Sequence, residues 1–442
     1  MLLVISRSAY SPRVDEPIAR RAMKKAATIA VIVAALGYFV DIYDLILFGM
    51  VRKASLLELG VCAHLASASK DACAAALTDR GIYLINMQMG GMLVGGIVWG
   101  MLGDKRGRLS VMFGSITLYS VANIANGMVH SVDSYAVWRL IAGIGLAGEL
   151  GAGITLVSEL MGAERRGLGT TIVAALGVSG GVVAGLIGGA FPGVWHPTWR
   201  VAYYIGGGLG IALLALRIGV AESGMFHATV AKQHVKRGNF FALFTNRSRL
   251  RRYLAIILVG LPIWYVIGVA FTFADRIGAG LGLDPAPNPA TSLFFCYGGA
   301  TVGGFACGLL SQYLRSRKQA LGAFIALTGL ALGLYFSIGG TSLTVFYAIC
   351  LFGGVGSGYW TVFIGTAAEL FGTNLRATVT TTVPNFVRGT VPLLTMSFKG
   401  LTTSLGVVNA ALTVAAGTFV LAIIGLATLK ESFGVDLDYN EE

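Results

Sequence analysis

GYFVDIYDLILFG, residues 37–49, places two carboxylates, Asp41 and Asp44, inside a run of mostly apolar residues from Ala26 to Val51. About 20 such residues are enough to cross a bilayer. An acid at that depth is expensive unless it faces a bundle interior or a wet cavity, so the pair marks function. The two stand three apart and share one face of a helix, one turn apart. Neighbouring carboxylates out of water resist being ionised together, which suits one of them to binding and releasing a proton near neutral pH. The plainer reading is that either acid caps or pairs with a neighbouring helix.

The rest of the chain supports a membrane setting. Of 442 residues, 55% are hydrophobic and 12% charged, and mean hydropathy is +0.74; a soluble domain carries about 25% charged residues. The 62 glycines against 10 prolines fit helices that approach closely. MLLVIS, residues 1–6, is too short for a signal-peptide core, and basic residues follow it.

Apolar windows of about 20 residues predict an all-α membrane protein of twelve spans: 26–50, 81–103, 109–130, 134–160, 167–190, 200–220, 252–275, 290–313, 319–339, 343–368, 377–398 and 405–429. They group into a tail (1–25), a first six-helix bundle (26–220), a polar basic linker (221–251), a second bundle (252–429) and a tail (430–442). Most of the 33 lysines and arginines fall on one side of this layout, and Arg139, Arg217 and Arg388 lie within spans or at their ends. The asymmetry predicts that both termini are cytoplasmic. The sequon NRS (246–248) falls on that side, so no glycan is expected.

The halves echo each other at an offset of about 209 residues. GIGLAGE (143–149) matches GGVGSGY (353–359) in glycine placement, which aligns Glu149 with Tyr359. SELMGAERRG (158–167) matches AELFGTNLRA (368–377), and AESG (221–224) matches KESF (430–433). GMLGDKRGR (100–108) has a degraded partner in GLLSQYLRSR (308–317). Parallel repeats of six spans with a midplane site between them are a transporter architecture.

On these residues the chain resembles the major facilitator superfamily over nearly its whole length. GDKRGR (103–108) looks like its loop signature between spans two and three. AESGMF (221–226) and LKESFGVDL (429–437) are similar to the acidic motifs that end each half in the sugar-porter-like branch, without the usual prolines. DIYDLILFG (41–49), the span-four stretch 139–167 and the stretch 368–394 resemble metabolite–proton symporters, with Glu149 after Gly148 and Arg388 at the arginine position. The resemblance implies alternating access between two pseudo-symmetric halves. Asp44 matches its invariant acid, and Asp41 a position where it often has Glu.

Other residues carry two readings each. Glu149, within the glycine-rich GLAGELGAG, is a second proton or substrate site or half of a structural ion pair. Arg139 neutralises an acid of span one or meets an anionic solute, since a buried guanidinium needs a partner. Arg388, just before Gly389 and Pro392, grips a solute carboxylate in two-point geometry or serves a structural pair. Trp264, Tyr265, Tyr359 and Trp360 shape the solute site or simply pack; Gln88, Asn86 and Asn385 are candidate hydrogen-bonders. Gly103, Asp104, Arg108, Glu159, Arg165 and Arg166, with Glu369 and Arg376 in the repeat, are solvated charges or a cytoplasmic gate, the reading the resemblance favours; Gln312 replaces the acid in the second half. Cys296, Cys307 and Cys350 read as core packing, and Cys62 and Cys73 share an outer loop where a disulfide can form. His64 beside them makes no metal site, and His130 and His196 are interfacial.

The expected function is proton symport of a small organic solute, a carboxylate or zwitterion, across a bacterial inner membrane. The expected form is a monomer with the solute, protons and the bilayer as its partners, and with no nucleic acid, metal or cofactor. A sugar or polyol carrier and a proton-coupled exporter of amphiphiles are the alternatives. No nucleophile–base pairing or phosphate loop is evident, so no enzyme is expected.

Overall fold

The computed structural model describes the backbone of residues 16–63, 70–106, 108–160, 163–191, 193–222, 240–435 and 441. Within these, some side chains, among them those of 16–27, 104, 105, 108, 158–160, 163–168 and 219–222, fall outside the described residues. The first half comprises α1 (Glu16–Glu58), α2 (Lys70–Arg106), α3 (Arg108–Gly127), α4 (Val132–Leu146), α5 (Glu149–Leu160), α6 (Ala163–Val178), α7 (Gly180–Ile187) and α8 (Trp199–Glu222). A short helix, α9 (Ala242–Thr245), leads into the second half. That half has α10 (Arg247–Tyr265) running into a π turn (Val266–Phe271), α11 (Ala274–Gly280), α12 (Pro289–Tyr313), α13 (Arg317–Ser337), α14 (Leu343–Ser357), α15 (Trp360–Glu369), α16 (Thr373–Arg388) and α17 (Val391–Thr428).

These helices occupy all twelve predicted spans. Among the described residues nine helical stretches are long and apolar enough to cross a bilayer. The last, Asn374–Thr428, holds two crossings, because Gly406 turns the chain at φ 75°, a conformation that favours glycine. Span three is α3, and span four is the α4–α5 pair. The segments around α1 and α10 are 78% and 89% buried, against 39% for α8 and α13, so spans one and seven line the centre.

The repeat seen in the sequence recurs in three dimensions. Span four breaks between Leu146 and Glu149, and span ten breaks at the equivalent point, between Ser357 and Trp360. Span five breaks between Val178 and Gly180, and span eleven between Arg388 and Val391. Ser131 caps α4 by accepting from Ser134 N at 3.2 Å, and Ser342 caps α14 by accepting from Val345 N at 3.2 Å. The tightest packing is duplicated too. A Cβ on Gly91 would strike Leu140 O, and one on Gly299 would strike Leu351 O; Gly143 and Gly354 lie likewise against Gln88 O and Cys296 O. Without a hydrophobic drive between helices in lipid, such close backbone approach supplies the packing energy.

The halves meet along two symmetry-related seams, α2 against α16 and α6–α7 against α12. At the end where α1 finishes, Cys62 is disulfide-bonded to Cys73; we call this the disulfide end. The opposite, basic end holds the linker, of which 223–239 lie outside the described residues. There Phe240 packs on Phe386, ring centroids 5.9 Å apart, and the chain's end folds back. Glu441 pairs with Arg252 at 2.8 Å, and Glu431 accepts from Ser316 Oγ and from Arg317 N.

Glu431 thus caps α13 from the acidic motif after span twelve. Partial burial opposes its charge, but hydrogen bonds from Ser316 and from the N–H groups of Phe433, Arg317 and Lys318 hold its carboxyl below the usual range. A lowered value means the cap stabilises above the ordinary carboxylate pKa and is lost as pH falls through the folded value. Glu431→Ala is expected to lower stability at pH 7 by about 1 kcal/mol. In thermal unfolding, its gap from wild type should shrink toward pH 3.

Candidate functional site

Asp41 and Asp44 are both fully buried, yet they face different neighbours. Positions three apart are offset by about 60° around a helix. Asp41 faces the seam, with Oδ2 3.8 Å from Arg388 Nη2 of the second half, and neither of its oxygens makes a hydrogen bond. Asp44 turns into the first half, where Gly206 of α8 leaves it room. Asn123 of α3 and Arg139 of α4 act on it, but no hydrogen bond of ordinary geometry reaches its oxygens.

Arg388 ends α16 at the break in span eleven. Its guanidinium carbon lies 5.4 Å from the Trp264 ring centre and 5.7 Å from that of Trp360. Its Nε and Nη2 make no hydrogen bond, although the side chain is 1% exposed. Trp360 Nε1 donates to Tyr38 OH across the seam at 2.6 Å. Arg139 donates to Gln88 Oε1 and to Tyr203 OH (3.3 Å) and sits 4.7 Å over the Phe48 ring. Buried polar atoms are ordinarily paired; the orphaned groups around this centre come from spans one, two, three, four, seven and eleven.

Two central cavities of about 20 Å³ each have room for about one water molecule. Tyr38, Trp264, Tyr297 and Trp360 line one, and Phe48, Gln88, Arg139 and Trp264 the other. Trp264 borders both. Tyr265 and Tyr359 line neither: their hydroxyls donate to Ala411 O at 2.6 Å and to Val259 O at 2.8 Å, inside the second half. Asn385 is also absent from both walls and bridges to Ala147 O of the first half at 2.8 Å. Asn86 accepts from Thr395 across the seam at 2.8 Å.

Glu149 forms a two-point ion pair with Arg217 of α8, packed against Gly37 of α1. Both members are under 5% exposed. Of the three cations counted inside spans or at their ends, Arg217 is the one given no role from sequence; a cation near the end of an otherwise apolar helix was its only signal.

At the disulfide end Arg52 of α1 reaches across the seam. Its Nη2 lies 2.8 Å and 3.0 Å from the Asp275 oxygens, and its guanidinium carbon 4.8 Å from the Phe273 ring centre. Asn288 Nδ2 donates to Gly189 O at 3.0 Å, and Lys399 meets Asp79 at 3.0 Å. These contacts close that end, and none was singled out from sequence. At the basic end Glu369 accepts from Arg317 at 2.9 and 3.1 Å and from Ser432 at 2.8 Å, all within the second half. Arg376 Nε donates to Ala368 O at 3.2 Å. A Cβ on Gly103 would lie 3.4 Å from Val111. The side chains of Asp104, Arg108, Glu159, Arg165 and Arg166, and His64, lie outside the described residues.

Removing one member of a buried ion pair leaves an unpaired charge, so Arg217→Met is expected to destabilise the detergent-solubilised protein by about 3–5 kcal/mol. Glu149→Gln combined with Arg217→Met should recover most of the loss in thermal unfolding. Arg52→Ala is expected to open the disulfide end: a cysteine placed at Gly49 should react several-fold faster with a water-soluble maleimide than it does with Arg52 intact.

The Major Facilitator Superfamily profile matches residues 34–406. The chain is 26% identical over 350 residues to the 3-(3-hydroxy-phenyl)propionate transporter of Escherichia coli strain K12, covering 73% of this chain and 81% of that protein. It is 24% identical over 325 residues to low affinity inorganic phosphate transporter 3 of Petunia hybrida, covering 60% of this chain and 58% of that one, less than two thirds of its length. Its fold resembles that of the proton:xylose symporter XylE bound to 6-bromo-6-deoxy-D-glucose, with TM-score 0.68, 15% identity, and 94% of this chain and 98% of that one covered. The profile match, the helical bundle of two equivalent halves and the buried polar site between them make this chain a multi-pass membrane transporter of the major facilitator superfamily.

Proposed function

We propose that the protein carries a small organic acid, a carboxylate or zwitterion, together with a proton, by alternating exposure of the seam between residues 26–220 and 252–429. The observation that carries this reading is Arg388, a buried guanidinium with two orphaned donor nitrogens, set between two tryptophans in the middle of the bundle. Its paired donors match a carboxylate in shape and charge. Two relatives are named for anionic cargo, a phenylpropionate and inorganic phosphate.

Trp264 and Trp360 flank the solute, while Gln88 and Arg139 border the second cavity. Tyr265, Tyr359 and Asn385 support the walls. Asp44, buried without an ion-pair contact among the described residues, is the proton site, and Asp41 joins it. Protonation removes a buried charge and lets the loaded carrier change state. Glu149 stays fixed by Arg217. The basic end, with residues 103–108, Glu159, Arg165, Arg166, Glu369 and Arg376, is the cytoplasmic gate. In this reading the disulfide end faces the oxidising side and both termini are cytoplasmic; the Cys62–Cys73 disulfide supports that orientation.

Proteoliposomes given an inward proton gradient are expected to accumulate one class of organic acid. Asp44→Asn should abolish accumulation but leave solute counterflow. Arg388→Lys, losing one charge-assisted hydrogen bond, should raise KM about 10- to 100-fold. Uptake of sugars instead of acids, or uptake indifferent to pH and to Asp44, would overturn the reading.

A further inference from the structure

Arg388 and Asp41 are opposite charges buried across the seam, yet they do not bond. At 3.8 Å the closest approach is an ion-pair contact without a hydrogen bond, and Arg388 Nε and Nη2 and both Asp41 oxygens remain unmatched. Neither residue is held by another charge of its own half: Arg388 stacks on tryptophans, and Asp41 has no second cation in contact. The groups acting on Asp41 are few. Tyr38 and Asp44 stand on its own helix, and Glu149, already bound to Arg217, acts from α5. Tyr119 lies on α3, Tyr297 on α12 and Arg388 on α16. Arg388 is therefore the one cation in contact with Asp41 among the described residues.

We propose that Asp41 competes with the solute for Arg388: in the empty carrier it neutralises the guanidinium, and the solute's carboxylate displaces it and so draws one proton onto Asp41. The inference rests on the reading of Arg388 as the solute's anchor. Its physical basis is charge conservation at a site out of water. Empty, the site holds a guanidinium and a carboxylate. Loaded, it holds a guanidinium, the solute carboxylate and a neutral Asp41. The net charge is the same in both, so neither state strands an unpaired ion as the halves move. With the acid still ionised, two carboxylates would share one guanidinium and repel each other. The only bonds that change are to the proton: an O–H bond forms on Asp41 as one in a hydronium ion breaks, and the proton returns to water when the solute leaves.

The test is binding of 3-(3-hydroxyphenyl)propionate and benzoate to the purified full-length protein. Tryptophan fluorescence reports the site through Trp264 and Trp360, and size exclusion confirms that each variant is folded. In wild type the affinity should weaken about tenfold per pH unit on the alkaline side, as linkage to one proton requires. Asp44 lines neither cavity and does not contact Arg388, so its proton serves the change of state and not solute binding. Asp41→Asn should therefore bind more tightly than wild type at pH 8, with affinity flat in pH, and the smaller Asp41→Ser should agree. Wild type that binds while both variants bind more weakly, or keep the pH slope, overturns the competition and leaves the anchor role of Arg388 standing. No carboxylate binding to wild type or variants at any pH overturns the anchor and the competition together.

Discussion

Charges buried inside this bundle have no bulk water to fall back on, so each needs an opposite charge, hydrogen-bonding groups or a proton to offset it, and the location of a partner decides what the charge can do. Glu149 and Arg217 belong to helices of the same half and grip each other at two points. Such a pair moves as one with its half and survives rocking. Asp41 and Arg388, like Arg52 and Asp275, belong to different halves. Contacts across a seam exist in one arrangement and break in another, which makes them the elements a solute or a proton can bias. The same chemistry, a carboxylate beside a guanidinium, thus occurs both inside a half and between halves.

Close backbone approach packs each half. Glycines of spans two and four lie against each other's backbone carbonyls, as do their equivalents in spans eight and ten, and spans one and seven line the centre. The helix breaks recur at equivalent points, and they set the site: Arg388 stands at the break of span eleven and Glu149 just after that of span four. The scaffold is symmetric and its chemistry is not. The position of Glu149 is repeated by Tyr359, whose hydroxyl is committed to Val259 O. The buried acids Asp41, Asp44 and Glu149 gather in the first half, and the tryptophans of the central cavities come from the second.

The two ends of the bundle differ in how they are held. At the disulfide end, Arg52 is fixed by a carboxylate, a backbone carbonyl and an aromatic face of the second half. At the basic end Glu441 ties Arg252 to the terminal segment, and Glu369 pairs with Arg317 inside the second half and accepts from Ser432 of that segment. A seam latched at one end and tied within a half at the other is consistent with motion in which one end opens as the other closes.

The amino-acid sequence by itself determined the membrane class, the twelve spans, the duplication and the short roster of charges inside the spans. These depend on local quantities: the length of an apolar run, the rarity of an ion within it, and the recurrence of glycines at a fixed offset. Tertiary structure alone decided which charge meets which. Asp41 and Asp44 share a helix face, but a small angular offset sends one to the seam and the other into the first half. Tyr265 and Tyr359, which from sequence either shape the solute site or simply pack, donate to carbonyls in their own half. Arg52 and Asp275 are separated by 223 residues, and nothing near either announces the other. Partner choice for a buried charge is set by how helices pack side by side, and that packing is a property of the whole bundle, not of any stretch of its chain.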